Sequence, residues 1–121
     1  MRVMKLAVIG SGMIVNEFLS IVPYLNNIKI NGIYGRKKSY EKLNKIKKQN
    51  NIKNIFYNYE ELLKSDINTV YIGLPNNLHF EFSKKALEAN KNVIVEKPIT
   101  SNYKEAKILS DLARKRGLFI F

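Results

Sequence analysis

Glu96-Lys97-Pro98 follows directly on the apolar run Asn92-Val93-Ile94-Val95. A carboxylate and an ammonium presented together at the carboxyl end of a strand stand where an open α/β sheet keeps its ligands. Charge is not placed idly at the end of a buried strand, because burying an unpaired ammonium costs several kcal/mol. Lys97 could donate to a substrate oxygen as hydride leaves the adjacent carbon, and Glu96 could accept from ribose hydroxyls. The other reading of the pair is a surface ion pair. A cis peptide at Pro98 would lock the turn and aim Lys97.

A second strand end carries complementary chemistry. Val3 to Ile9 opens into Gly10-Ser11-Gly12-Met13-Ile14-Val15, which matches G-x-G-x-x-(G/A) in its first two glycines only. Gly10 would permit the tight turn, and Gly12 would let a pyrophosphate approach the backbone. Ser11, Met13 and Ile14 complete the loop and the helix start, whose amides and positive dipole end suit a phosphate. Val15 stands where a small residue eases helix–strand packing, so looser packing is expected there. A strand before the motif and a helix after it supply the context that the motif needs.

Two further strand ends complete the candidate site. At the tip of strand two, where a carboxylate usually holds the ribose hydroxyls, the chain reads Tyr34-Gly35-Arg36-Lys37. Arg36 and Lys37 replace that carboxylate with positive charge, and a guanidinium can grip a 2′-phosphate in bidentate fashion. NADP is therefore expected over NAD, with NAD the alternative cofactor. After strand four come Leu74, Pro75 and Asn76, then Asn77, Leu78 and His79. Pro75 ends the strand, Asn76 offers donors and acceptors to a ribose or nicotinamide, and His79 is either a ligand contact or a packing residue.

The elements that must position these residues alternate along the chain. Strands are predicted at 3–9, 28–35, 55–57, 70–74, 92–95 and 118–121, and helices at 13–22, 38–49, from Asn58 through Leu62 and Leu63, at 80–89, and from Asn102 to Gly117. Asn58 before Glu61 and Asn102 before Glu105 have the spacing of helix-start caps, and Gly117 that of a helix end. Alternation of this kind predicts an α/β fold: a doubly wound parallel Rossmann sheet of about six strands with helices on both faces. All of residues 1–121 read as one dinucleotide-binding domain. A chain ending in an apolar strand is expected to be a domain cut from a longer protein, or a shortened relative of one.

Bulk properties narrow the function further. At 121 residues the chain has the size of one domain, and its 45% hydrophobic content fits a globular core. The absence of cysteine excludes disulfides and thiolate chemistry, and the single His79 with scattered carboxylates gives no metal-ligand spacing. No apolar run reaches membrane-spanning length and no signal peptide is apparent, so a cytoplasmic location without membrane contact is expected. The net charge of +11 concentrates at Arg36, Lys37, Lys38, Lys42, Lys45, Lys47, Lys48 and Lys53. A nucleic-acid surface would read this way, but interleaved aromatics are missing, which favours a solvated helix face. Edge pairing through the last strand leaves a homo-oligomer open.

The segments Lys5 to Gly12, Val70 to His79 and Ala86 to Pro98 together resemble the glucose–fructose oxidoreductase, inositol dehydrogenase and rhizopine-catabolism (Gfo/Idh/MocA) family. Ala86-Leu87-Glu88-Ala89-Asn90-Lys91-Asn92-Val93 leading into Glu96-Lys97-Pro98 is the most specific part. The resemblance implies a Rossmann domain that binds a nicotinamide dinucleotide, with Lys97 at the catalytic site and Gly10, Gly12 and Glu96 as cofactor contacts. It also implies hydride transfer to or from sugar or cyclitol hydroxyls and carbonyls. The resemblance implies a following substrate domain, which is expected to lie outside residues 1–121. A sugar-like substrate is then expected only together with that domain, and the isolated chain is not expected to be active. The competing reading is a non-catalytic dinucleotide-binding or sensor module.

Overall fold

The computed structural model describes residues 3–97, 99–100 and 102–121. Pro98, and with it the expected cis turn, lies outside the described residues.

Five strands form a parallel sheet: β1 (Met4–Ile9), β2 (Ile28–Tyr34), β3 (Asn54–Phe56), β4 (Thr69–Ile72) and β5 (Asn92–Val95), in the order β3-β2-β1-β4-β5. Between and after them run α1 (Met13–Ile21), α2 (Tyr40–Gln49), α3 (Tyr59–Lys64), α4 (His79–Glu88) and α5 (Tyr103–Lys115). Successive strand residues point to opposite faces, and both faces of β1 are apolar, so both need cover. Leu6 and Val8 pack with Val15, Leu19, Leu43 and Ile46 from α1 and α2. Ala7 and Ile9 pack with Leu62, Ala86, Leu87 and Leu109 from α3, α4 and α5.

The sequence predicts about six strands, and the sheet has five. Leu118–Phe121 does run beside β5: Val93 N donates to Phe119 O at 3.0 Å, Phe121 N to Val93 O at 3.1 Å and Val95 N to Phe121 O at 2.8 Å. This pairing amounts to one isolated parallel bridge, Val93 with Ile120, which is too little for a strand. On the α1 side of this edge Ile94 is half-buried, and Phe119 stacks at a tilt on the exposed Phe121 with ring centroids 5.0 Å apart.

β2 contains the one break in the sheet's regularity. Leu6 pairs with Ile30 and Ala7 with Gly32, leaving Asn31 as the extra residue of a bulge. The alternation that starts with Ile28 and Ile30 therefore skips Gly32 and resumes one place later, so that Ile30 and Ile33 reach the same core. Gly32 sits where an added Cβ would lie 2.9 Å from the Phe56 ring. The expected caps form as side-chain acceptors: Asn58 Oδ1 takes the Glu61 amide at 3.0 Å and Asn102 Oδ1 the Glu105 amide at 2.8 Å. Gly117 closes the end of α5 at φ +67. Among the described residues no helix is long and apolar enough to cross a membrane.

Candidate functional site

The crossover after β1 leads to β2 on one side, whereas β4 pairs on the other. The carboxyl ends of β1 and β4 therefore diverge, leaving a crevice at the switch point of the sheet. Gly10 opens it. Its φ of +114 is a conformation that side chains rarely adopt, and an added Cβ would stand 2.7 Å from the Gly73 carbonyl oxygen. Gly10 is thus demanded by the fold itself.

Gly12 is different. It caps α1 with φ −84 and ψ −168, a conformation open to any residue, and an added Cβ would meet nothing within 4 Å. Nothing inside the protein requires glycine there, so the open space faces outward. The first intrahelical bond of α1 is Asn16 N to Gly12 O at 3.1 Å, which leaves the amides of the first turn without intrahelical partners. α3 and α5 start with a capping Asn and an acidic first turn, whereas α1 has neither. Its positive end is uncompensated, and an anion would complete it.

Val15 does not loosen the packing, contrary to the sequence reading. It is completely buried, and it fills the space above Gly73, where an added Cβ would stand 2.5 Å from Val15 Cγ2. The small residue that the motif places on the helix is supplied instead by the end of β4.

Beside the loop lies a cleft of about 390 Å³ lined by Gly10, Tyr34, Gly35, Arg36, Leu74, Pro75, Leu78 and Phe82. Its aromatic lining is braced from below: Tyr34 and Phe82 pack with the buried Tyr59, with centroids 4.6–5.8 Å apart, and Tyr59 Oη donates to the Phe82 carbonyl at 2.9 Å. Burial, before the nearby Glu60 carboxylate, pushes the Tyr59 phenol far up, so it stays a donor. Gly35 is demanded by the core beneath the rim: an added Cβ would lie 2.8 Å from both δ-methyls of the buried Leu43. Arg36 is exposed at that rim, and among the described residues no ion pair neutralises it. Lys37 is exposed on the adjoining turn and does not line the cleft. The lysines of α2 project mainly to solvent.

Leu74 and Pro75 form the opposite wall, and Asn76 begins an exposed turn at Asn76–Leu78. His79 is only 1% exposed, and its Nε2 is 2.9 Å from the Leu74 carbonyl oxygen. A carbonyl can only accept, so Nε2 carries the proton. His79 thus supports the Leu74–Pro75 wall from beneath. At the end of β5, Glu96 and Lys97 are both exposed rather than buried. Glu96 Oε1 accepts from Tyr71 Oη on β4 at 3.2 Å.

The arrangement unites an open helix start, an apolar cleft with a guanidinium at its rim, and a carboxylate–ammonium pair two strands from the loop. Its donors suit phosphates, its cleft suits a flat ring, and Lys97 can donate a proton. Tyr34, Leu78, Phe82 and Tyr71 also belong to it, although no motif marks them; the aromatic residues nearest the strand ends were the available signal. Among the described residues no group of His, Asp and Glu could hold a metal ion. A larger hollow of about 670 Å³ at the amino edge, lined by Lys5, Asn31, Asn51, Lys53 and Asp66 among others, has no glycine loop or open helix start, and its Lys5 and Asp66 pair with each other at 3.6 Å.

A family model described as an oxidoreductase family with an NAD-binding Rossmann fold, GFO_IDH_MocA, matches residues 4–121. An uncharacterized oxidoreductase of Schizosaccharomyces pombe is 35% identical over 99% of this chain and 33% of its own length. The scyllo-inositol 2-dehydrogenase (NADP(+)) IolU of Bacillus subtilis is 29% identical over 96% of this chain and 35% of its own. KijD10, a 3-ketoreductase from Actinomadura kijaniata solved with TDP-benzene and NADP in an open conformation, superposes with a TM-score of 0.90 at 28% identity, over 98% of this chain and 37% of that one. The chain thus spans about a third of the length of the curated relatives that it matches.

Proposed function

The chain belongs to the GFO_IDH_MocA oxidoreductase family, and we propose that it forms the NADP-binding part of an enzyme that interconverts a hydroxyl and a carbonyl on a sugar or cyclitol. The carrying observation is Gly12. Its backbone conformation is ordinary and its Cβ position empty, so the glycine is spent on a close approach from outside, as a pyrophosphate on α1 would make. With the phosphates there, an adenine fits the apolar cleft, and Arg36 at its rim takes the 2′-phosphate. The absence of a carboxylate on Tyr34-Gly35-Arg36-Lys37 supports NADP over NAD, as do the NADP relatives.

The bound nicotinamide would supply or take the hydride. Asn76 and Glu96 hold the ribose and carboxamide side, and His79 fixes the Leu74–Pro75 wall through the Leu74 carbonyl. Lys97 donates a hydrogen bond to the substrate oxygen and moves its proton as the carbonyl is reduced. The chain spans about a third of the relatives' length, so substrate binding and hydride transfer are assigned to the whole protein, with the residues above as the cofactor side. The second reading, a non-catalytic binding module, predicts binding without turnover.

Calorimetry with NADPH and NADH tests the cofactor assignment. NADPH should bind about tenfold tighter or better, because charge-assisted bonds to a phosphate are worth about 1.5–3 kcal/mol. Arg36→Ala should erase most of the difference. Binding of NADH equal to or tighter than that of NADPH would sink it.

A further inference from the structure

Tyr71 connects two parts of the site that lie apart in sequence. It leaves the middle of β4 toward α1, is 6% exposed, and stacks flat on Phe18 with centroids 4.0 Å apart and planes 12° from parallel. Phe18 belongs to the helix whose first turn forms the open phosphate-binding end. The Tyr71 hydroxyl emerges from that stack to donate to Glu96 Oε1 at 3.2 Å. Among the described residues Glu96 Oε2 has no hydrogen-bond partner, so one oxygen is held and the other is left to bind.

We infer that Tyr71 is a positioning residue: braced on Phe18, it fixes the Glu96 carboxylate for the nicotinamide-side ribose and so sets the geometry of the Glu96–Lys97 tip. An exposed glutamate otherwise samples several rotamers that binding must freeze, and pre-ordering removes that cost. The hydroxyl is suited to the task. Burial first, then the Glu96 carboxylate, with Glu17 adding to it, pushes the Tyr71 phenol up to about 12, so it remains a donor at neutral pH. The inference rests on the dinucleotide reading, which lays one nucleoside over the β2 side of the loop and the other over β4 and β5. β2 and β5 are three strand spacings apart, about 14 Å, so Glu96 and the Arg36 rim contact different halves of the ligand.

The test uses Tyr71→Phe, which keeps the stacked ring and removes only the hydroxyl, with two ligands: NADPH, and adenosine 2′,5′-bisphosphate, which lacks the nicotinamide half. Titrations monitored by calorimetry should show NADPH weakened about three- to tenfold and the bisphosphate unchanged. Glu96→Gln, at an exposed site that the fold does not depend on, should weaken NADPH similarly, and the double variant should be no worse than the poorer single one. Tyr71→Phe binding NADPH like the unaltered chain overturns the inference. So does an equal loss for both ligands, which would mark Tyr71 as merely structural. An unaltered chain that binds neither ligand overturns the dinucleotide reading itself, and the inference with it.

Discussion

Gly12→Ala separates what the fold needs from what the ligand needs. Alanine is a poorer helix cap than glycine, by about 0.5–1 kcal/mol. Removing a glycine also restricts the unfolded chain, which returns about 0.4–1 kcal/mol. With φ at −84 and no atom within 4 Å of the new Cβ, neither strain nor contact adds to this. The two effects nearly cancel, and the melting temperature should move by less than about 3 °C. Binding should behave otherwise. A methyl group standing between the α1 amides and a pyrophosphate acts like overpacking, at about 1–3 kcal/mol, or about a 5- to 150-fold rise in Kd for NADPH. Gly10→Ala is the opposite control. Its φ of +114 and the 2.7 Å approach to the Gly73 oxygen combine backbone strain of about 1–3 kcal/mol with a steric clash, so it should melt several degrees lower. Thermal melts followed by circular dichroism, and calorimetry on the folded variants, provide both readouts. A stable Gly12→Ala protein that binds NADPH within about twofold of the unaltered chain would refute the placement of the pyrophosphate at this loop.

Three further outcomes follow from the same structure. Gly73→Ala alone should cost about 1–3 kcal/mol by driving a methyl into Val15. Val15→Ala should relieve that cost, giving a coupling of at least about 1 kcal/mol in a double-mutant cycle of urea unfolding. Tyr59 and Tyr71 both hold their phenol protons more tightly when folded. Their contribution is fully present below the unfolded value near 10 and is lost as pH rises toward the folded value, about 12 for Tyr71. Urea midpoints should therefore fall between pH 10 and 12, and fall less steeply in Tyr71→Phe; an identical slope would be the contrary result. Asn102→Ala removes the 2.8 Å acceptor for the Glu105 amide and should lower stability by about 1 kcal/mol in the same assay.

What was legible in the sequence was local. A strand running into Gly10-Ser11-Gly12, an Asn three residues before a Glu, and a glycine after the last helix each act within one turn of chain. The expected loop, caps and helix end accordingly appear at Gly12, Asn58, Asn102 and Gly117. What was not legible depends on residues far apart. Asn31 disturbs the apolar alternation of β2 by one place, but only pairing with β1 makes that a bulge. The terminal segment has strand-like residues, yet its ladder with β5 holds a single bridge. His79 reads as either a ligand contact or a packing residue, and only the docking of α4, which buries it beneath Leu74, decides for packing. The Tyr71–Glu96 bond joins residues 25 apart and has no periodic signature.

Val15 over Gly73 bears on how such loops are found and how they change. A fingerprint that scores each position independently counts Val15 as a defect, although the volume between helix and strand is filled. The quantity held constant is the sum across two residues on separate elements, not the identity of either. The two ways of breaking the pair also differ in cost. A valine facing any residue but glycine at the β4 end would meet a side chain, whereas glycine facing a small residue leaves only a small void. Searches for phosphate loops that let a bulky third residue stand whenever the facing strand ends in glycine would recover chains that the strict pattern discards.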